Sequence, residues 1–335
     1  MSADTSSLEL PKNLYVESTN RCNLKCKSCI QYRGNWEPQR DLSLAELVRI
    51  TDQLPELEWT ALHGIGEPLL NPALPAMIRH LKSRQVFVCL NSNGILLDES
   101  HQHALLDADL DELRISLDAA SPQRYKAVRN SDAFNRIVRN LKALSNHRRT
   151  RKLSNPKISL WYLGHTENIC ELPEFVRLAA AMEIEEVYLQ RLVYFQDDEG
   201  YGLARAEKTL ADSNPAIVAC IQNSQDLADR LGIRFRASGC NSPLESLGGN
   251  SNNPSPWTDC YRPTTLMYIT ANGNVLPCCI SPFATSDYGF LILGNVFESS
   301  LAEIWAGAGY RNFRKQLQTA RPPKSCRGCG VLWSL

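Results

Sequence analysis

Short apolar runs alternate strictly with amphipathic stretches over the first two thirds of the chain, which predicts an α/β fold built on a parallel sheet. The chain has 335 residues, enough to bury a large core and to form roughly two domains. Six strand and helix pairs in this order favour a sheet that closes, wholly or partly, into a TIM-like (β/α)6 barrel. A doubly wound sheet would give the same periodicity. Loops at the carboxyl ends of the strands are expected to carry the chemistry.

Each predicted element follows from its own pattern. Strands are predicted where apolar and β-branched residues cluster, at Leu14–Ser18, Trp59–Gly64, Val86–Ser92, Glu112–Asp118, Lys157–Leu163 and Glu186–Leu192. Helices are predicted where apolar residues recur at intervals of three and four, at Leu44–Leu54, Leu74–Ser83, Asn135–Leu144 and Leu172–Met182. The predicted organisation is a tail at 1–12, a partial barrel at 13–195, a connecting or substrate segment at 196–255 and a small C-terminal domain at 256–335.

Composition excludes several classes of protein. Lys plus Arg and Asp plus Glu both number 36, so no net charge draws the chain to nucleic acid or to an anionic membrane. No apolar run approaches the length of about 20 residues that spans a bilayer, and the N-terminus lacks the pattern of a signal peptide. A cytoplasmic location is therefore predicted. In that reducing compartment, the 12 cysteines are expected to be metal ligands or reactive thiols rather than disulfides.

A compact triplet, Cys22, Cys26 and Cys29, follows the first predicted strand. Four thiolates normally close an iron-sulfur cluster, so three indicate a cluster with one iron open to another ligand. The alternatives are thiols of a zinc site and unrelated buried cysteines.

The spacing Cys-x3-Cys-x2-Cys at this position resembles that of the radical S-adenosylmethionine (SAM) family. The resemblance implies a 4Fe-4S cluster whose open iron binds the amino and carboxylate groups of SAM. It also implies reductive cleavage of SAM to a 5'-deoxyadenosyl radical that abstracts hydrogen from substrate, and an electron donor of the flavodoxin or ferredoxin type. Many relatives have an aromatic residue where this chain has Ser28, so Tyr32 or Trp161 is expected to pack on the adenine.

Further residues match positions at which the family holds SAM. The segment from His63 to Pro68 looks like the family's Gly-Gly-Glu-Pro loop, in which glycines let the backbone approach a ligand closely. Short polar side chains end the third and fourth predicted strands, and an arginine follows that is suited to clamp a carboxylate. The resemblance implies that SAM is bound by Gly64, Gly66, Glu67, Asn91, Ser116, Asp118 and Arg129. Taken singly, each would be an ordinary turn, cap or surface charge. Gln190 and Arg191 are weaker candidates.

A second cysteine group lies near the end of the chain. The run Leu266–Pro277 is predicted to form a β-hairpin around an Asn-Gly turn, which brings Cys260 and Cys278 close together. Cys326 and Cys329 supply two more thiols, and zinc would suit these four ligands as well as iron. The arrangement resembles the twitch domain, a shortened SPASM domain. It implies one auxiliary iron-sulfur cluster, expected to be 4Fe-4S, ligated by these four cysteines.

The other cysteines divide by context. Cys89, Cys170, Cys220 and Cys240 are expected to be buried and inert. Cys279 follows a predicted ligand directly and is a candidate catalytic residue, because a thiol there could donate a hydrogen atom to a carbon radical. It could equally be a spare ligand or a core residue.

The leading functional prediction is oxidation of a secondary alcohol of a sugar or aminocyclitol, because the cysteine spacing is similar to that of an aminocyclitol dehydrogenase. Polar residues expected to bind such a substrate are His165, Gln196, Asp197, Asp198 and Glu199. One alternative is radical epimerisation, with Cys279 or Cys240 returning the hydrogen atom. Another is maturation of a ribosomal peptide, for which the short N-terminal tail suggests a separate leader-binding protein. The last is a metal-binding protein without catalysis.

Overall fold

The computed structural model describes residues 9–34, 37–194, 200–211, 213–238, 242–247, 255–283, 285 and 288–327. Its centre is a single sheet in which seven parallel strands follow one another in chain order. These strands are β1 (Asn13–Val16), β2 (Trp59–Ala61), β3 (Phe87–Ser92), β4 (Glu112–Ser116), β5 (Lys157–Gly164), β6 (Glu186–Arg191) and β7 (Arg234–Ala237). A doubly wound sheet reverses its strand order at a switch point, whereas this sheet never does. The predicted partial barrel is therefore confirmed.

Three C-terminal strands extend the same sheet on its other side. They are β8 (Leu266–Ile269), β9 (Asn274–Leu276) and β10 (Gly294–Asn295). The first of them, β8, pairs parallel with β1, while β9 is antiparallel to β8, and β10 is antiparallel to β9. The predicted hairpin is thus present, with Gly273 at φ 82° in its turn. It is joined to the barrel by main-chain hydrogen bonds.

Helices cover the outer face of the barrel and the C-terminal region. They are α1 (Leu44–Thr51), α2 (Leu74–Ser83), α3 (Glu99–Asp107), α4 (Pro122–Arg129), α5 (Phe134–Thr150), α6 (Leu172–Ala181), α7 (Pro215–Leu231), α8 (Arg262–Thr265), α9 (Leu301–Trp305) and α10 (Ala308–Leu317). Several of them start at local capping signals: Ser43 and Ser300 each form a capping box, and Ser121 caps α4. In the described residues, no helix has the length and apolar character needed to cross a membrane.

The segment predicted to connect the two domains contains a seventh helix and strand. Asn214 caps α7, Pro215 occupies its first turn and Gly232 ends it with φ 68°. The strand β7 is short, and its alternate residues Arg234 and Arg236 are exposed. Such a charged edge strand does not show the apolar run by which the other six strands were predicted.

Alternation along the parallel strands separates the core from the barrel lumen. In β1, Leu14 and Val16 are fully buried in the core, whereas Asn13 and Tyr15 line the lumen. In β4, Leu113 and Ile115 are buried in the same way. The opposite face of each strand therefore presents polar and aromatic side chains to the interior of the barrel.

Candidate active site

A cavity of about 660 Å³ occupies the barrel lumen, and the residues that follow the carboxyl ends of the strands form part of its wall. This volume is within the range of about 300–1,000 Å³ typical of ligand sites. The cavity brings together the predicted cysteine triplet and every residue predicted to bind SAM. Its wall includes Cys22, Cys26, Cys29, Gly64, Gly66, Glu67, Asn91, Ser116, Asp118, Arg129 and Cys279.

The cysteine triplet lies on the loop that follows β1. Its backbone is fixed by a hydrogen bond from Cys29 N to Cys26 O (3.0 Å), and Cys22 Sγ accepts a hydrogen bond from Leu24 N at 3.4 Å. Burial raises the pKa of Cys22 to about 11 and that of Cys29 to about 12. Buried thiols of this kind need a nearby cation to become thiolate ligands.

The separation of these sulfurs can be compared with that in a single-zinc site. A tetrahedral zinc site with bonds near 2.3 Å places its sulfurs about 3.8 Å apart. Within the described part of the chain, only Glu99, His103 and His147 bring three potential ligand atoms within 4.8 Å of one another. The three sulfurs of the triplet thus do not all lie within that distance of one another, and three thiols with one position left open are the donor set of an iron-sulfur cluster that binds a further ligand.

The glycine loop after β2 packs tightly against the start of the cysteine loop. A Cβ atom on Gly66 would lie 2.1 Å from Thr19 O, and one on Gly64 would lie 2.0 Å from Glu17 Cγ. Glu67 N donates to Arg21 O at 2.8 Å, immediately before Cys22. The absence of side chains at both glycines thus permits the two loops to form one wall.

Glu67 connects this loop to β3. Its buried carboxylate accepts hydrogen bonds from Ser92 Oγ (2.8 Å), Asn93 N (2.7 Å) and Leu69 N (3.2 Å). Burial raises the pKa of Glu67, and these donors oppose that rise. These hydrogen bonds give the side chain of Glu67 a role in positioning the loop, and its predicted contact with SAM stays a prediction.

Asp118 and Arg129 form an ion pair beside the triplet. Arg129 Nη2 lies 2.5 Å from Asp118 Oδ2, and Arg129 Nη1 donates to Cys26 Sγ at 3.4 Å. Asp118 Oδ1 accepts from Leu163 N at 2.8 Å. The guanidinium predicted to clamp a carboxylate therefore already bridges the aspartate and a predicted cluster ligand.

Four cavity residues have a buried side-chain atom without a hydrogen-bond partner among the described residues: His63 Nδ1, Asn91 Oδ1, Arg129 Nε and Asp118 Oδ2. The last of these lies in the ion pair with Arg129, whereas the atoms of Asn91 and His63 have no charged neighbour of this kind. Burial lowers the pKa of His63 to about 3, so its imidazole is neutral near pH 7. The sequence analysis did not single out His63, although its position directly before Gly64 places it at the end of β2.

Aromatic and charged residues line the rest of the lumen. The rings of Trp161 and Tyr188 stack with centroids 4.0 Å apart, and the Arg114 guanidinium lies 4.9 Å from the Trp161 ring centroid. Arg114 also makes two hydrogen bonds to Glu112, each of 2.9 Å. Of the two residues predicted to pack on adenine, Trp161 lies in the wall, whereas Tyr32 is 48% exposed outside it.

The second cysteine group lies next to β8 and β9. Burial, and secondarily the neighbouring Cys278, raise the pKa of Cys260 to about 11. Cys260, Cys278 and Cys326 are described. Like those of the triplet, their three sulfur atoms do not all lie within 4.8 Å of one another. Cys329 lies outside the described residues, as does the candidate hydrogen donor Cys240. Their roles stay predictions.

Several other residues differ from expectation. Cys89 is buried as predicted, but Cys170 is exposed and Cys220 is half-buried. His165 was predicted to bind substrate, yet it is fully buried and is not among the residues of the cavity wall. Its Nδ1 accepts a hydrogen bond from Glu167 N at 3.2 Å. The guanidinium of Arg191, a weaker candidate for binding SAM, donates a hydrogen bond to Ser246 O at 2.6 Å. Gln196, Asp197, Asp198 and Glu199 lie outside the described residues.

The fold and cavity together define a class: an α/β barrel whose lumen holds a cysteine triplet and has room for a cofactor. Comparison with known protein families agrees with this class. The family described as the radical SAM superfamily matches residues 16–179, and the iron-sulfur cluster-binding SPASM domain matches residues 260–330. The chain therefore contains a radical SAM domain and a SPASM domain. These domains imply a 4Fe-4S cluster, SAM and auxiliary iron-sulfur binding.

Sequence relatives include a "PqqA peptide cyclase" of Granulibacter bethesdensis, 26% identical over 97% of this chain and 81% of the relative. Another is the "tungsten-containing aldehyde ferredoxin oxidoreductase cofactor-modifying protein" of Pyrococcus furiosus, 23% identical over 96% of this chain and 87% of that protein. Among solved structures, Streptococcus suis SuiB bound to precursor peptide SuiA has a TM-score of 0.70 at 17% identity, covering 92% of this chain and 68% of SuiB.

These relatives do not support the predicted resemblance to an aminocyclitol dehydrogenase. The structure of BtrN in complex with AdoMet and 2-DOIA has a TM-score of 0.51 at 15% identity, over 96% of this chain and 94% of BtrN. Identity at this level shows a shared fold only. Cysteine spacing was therefore too weak a signal from which to infer the substrate.

Proposed function

We propose that this radical SAM enzyme modifies a peptide, acting on one side chain that enters the barrel lumen. The observation that carries the proposal is the continuous cavity, which extends from the cysteine triplet to the Trp161 and Tyr188 stack. The relatives named as PqqA peptide cyclases point the same way. Ribosomal-peptide maturation, an alternative in the sequence analysis, thus has more support than sugar oxidation.

The size and lining of the cavity favour a side chain rather than a whole polypeptide. A volume of about 660 Å³ has to hold the cofactor as well as the reacting group. Stacked aromatic rings with Arg114 and Glu112 beside them offer both apolar and charged contacts. A peptide backbone would remain outside while one residue reaches inward.

When bound, the cluster and SAM supply a radical that abstracts hydrogen from substrate. The protein's own residues bind and orient the reacting groups. Gly64 and Gly66 allow the backbone to approach a ligand, and Glu67 holds that loop against β3. Asn91 Oδ1 is available to accept a hydrogen bond. The imidazole of His63 is neutral, and its Nδ1 is available for a hydrogen bond.

The test is an anaerobic assay of cluster-loaded protein with SAM, a strong reductant and short peptides encoded beside its gene. Formation of 5'-deoxyadenosine is expected to rise on peptide addition, with transfer of deuterium from labelled peptide into that product. Mass spectrometry of the peptide identifies the modification. Peptide-independent turnover, with deuterium transferred from a labelled sugar alcohol instead, would contradict the proposal and restore the oxidation hypothesis.

Radical epimerisation is a second candidate because Cys279 lies in the cavity wall, close to Tyr15. A thiol there is placed to return a hydrogen atom to a substrate carbon. In heavy water, an epimerised product gains deuterium without other change of mass. C279A would abolish that label, whereas a cross-linked or oxidised peptide would acquire none.

A further inference from the structure

Two cysteines on the outside of the barrel have no part in the site described above. Cys170 lies in the short turn Ile169–Glu171 that leads into α6, and Cys220 lies in the second turn of α7. Both are free thiols; Cys170 is exposed and Cys220 is half-buried. Their Sγ atoms are 2.8 Å apart although 50 residues separate them in sequence.

Packing on both sides holds these two thiols together. Ile169, next to Cys170, is 1% exposed, and Ile217 and Ile221, which flank Cys220 on α7, are 4% and 0% exposed. Each cysteine is therefore attached to backbone anchored in the core. The proximity of the sulfurs is a consequence of the packing of α7 against α6 and the turn before it.

We propose that Cys170 and Cys220 form a reversible disulfide when the protein meets a small disulfide oxidant such as glutathione disulfide. The exposed Cys170 thiol loses its proton, attacks the oxidant and releases one reduced thiol. Cys220 then loses its proton, attacks the mixed disulfide and releases the second. One S–S bond forms and one breaks, and two electrons pass from the protein to the oxidant.

The bond would fasten the last helix and strand pair to the barrel. The helix α7 precedes β7, which is an edge strand of the sheet. A disulfide from α7 to the turn before α6 would close a loop of about 50 residues that contains β6, and long closed loops constrain the unfolded chain strongly. The proposal is independent of the reaction catalysed in the lumen.

The experiment uses the full-length, cluster-loaded protein, incubated anaerobically with glutathione disulfide, alkylated and digested without reductant. Peptide mapping is expected to show the Cys170 and Cys220 peptides joined, lighter by two hydrogens than the separate thiol peptides. Dithiothreitol should separate them. C170S and C220S should each abolish the joined peptide, and the matched control C89A should retain it, because Cys89 is buried on β3.

Two results would overturn the proposal. One is recovery of both cysteines as alkylated thiols after the oxidant treatment. The other is recovery of each as a separate glutathione adduct with no joined peptide, which would show that the two sulfurs react without reaching one another.

Discussion

At the scale of single residues, the cavity holds two kinds of polar side chain. Glu67, Asp118 and Arg129 satisfy their charges within the protein, although Arg129 Nε has no hydrogen-bond partner among the described residues. His63 and Asn91 each keep one shielded atom without a partner among the described residues. The first kind maintains the shape of the site, and the second is available to a ligand.

Replacing Arg129 with alanine is expected to destabilise the protein by about 3–5 kcal/mol, because it leaves the buried Asp118 carboxylate without its ion pair. Urea unfolding measures the loss. The matched control is R149A, which breaks an exposed ion pair with Glu183 of 2.7 Å and should cost less than about 1 kcal/mol. Equal losses in the two variants would contradict this interpretation.

Glu17 is expected to make stability depend on pH. Its buried carboxyl accepts hydrogen bonds from Ile65 N and Tyr268 Oη, but burial outweighs them and raises its pKa to about 7 from 4.5. The folded state thus binds this proton more tightly than the unfolded state. The stability from Glu17 is complete below pH 4.5 and is lost as the pH rises through about 7.

Comparison with E17Q isolates this effect. Between about pH 5 and pH 8, the unfolding free energy of the wild type should fall by roughly 2 kcal/mol relative to that of E17Q. Denaturant titrations at several pH values provide the measurement. Parallel curves for the two proteins would show that Glu17 keeps an ordinary pKa.

At the scale of elements, two loops of the site depend on a close approach of their backbones. A Cβ atom added to Gly66 would lie only 2.1 Å from Thr19 O. Next to it, Glu67 N donates a hydrogen bond to Arg21 O. The geometry of the glycine loop and that of the cysteine loop are therefore coupled.

G66A is expected to weaken SAM binding at least tenfold, about 1.4 kcal/mol, because the added methyl group pushes the two loops apart. Equilibrium dialysis with labelled SAM on cluster-loaded protein measures the affinity. G289A serves as the control, since a Cβ atom there meets nothing within 4 Å. Wild-type affinity in G66A would mean that the loop tolerates the displacement.

Many elements could be predicted from local pattern, whereas the strand β7 and the contact between Cys170 and Cys220 could not. Helix α2 begins and ends at the predicted residues, and the six predicted strands occur in order. The strand β7 was not predicted, because its alternate arginines give it the composition of a loop. The contact between Cys170 and Cys220 depends on helix packing that no local pattern reports.

At the scale of the whole molecule, the SPASM region is part of the barrel's own sheet. Along its length β8 pairs with β1, and Glu37 accepts hydrogen bonds from Asn272 and Asn274 (2.8 Å each) and Tyr288 Oη (2.5 Å). Main-chain pairing and these part-buried side-chain contacts join the two regions.

The barrel and the SPASM region are therefore expected to unfold in a single transition. Circular dichroism and tryptophan fluorescence should give coincident denaturant curves. E37A should lower the unfolding free energy by at least about 3 kcal/mol without separating the curves, because it removes several hydrogen bonds to a charged group. Two resolved transitions in the wild type would contradict a shared sheet as the unit of folding.

The sequence by itself determined the class of this protein, because its cluster motif and the alternation of strands and helices are local patterns. Tertiary structure alone decided where β8 inserts, which cavity side chains keep a free atom and which thiols meet on the surface. Those outcomes depend on contacts between residues far apart in the chain: 251 residues separate Glu17 from Tyr268, whose side chains are hydrogen-bonded. Such partners come into contact only when the sheet is complete, and no local stretch of sequence contains both of them.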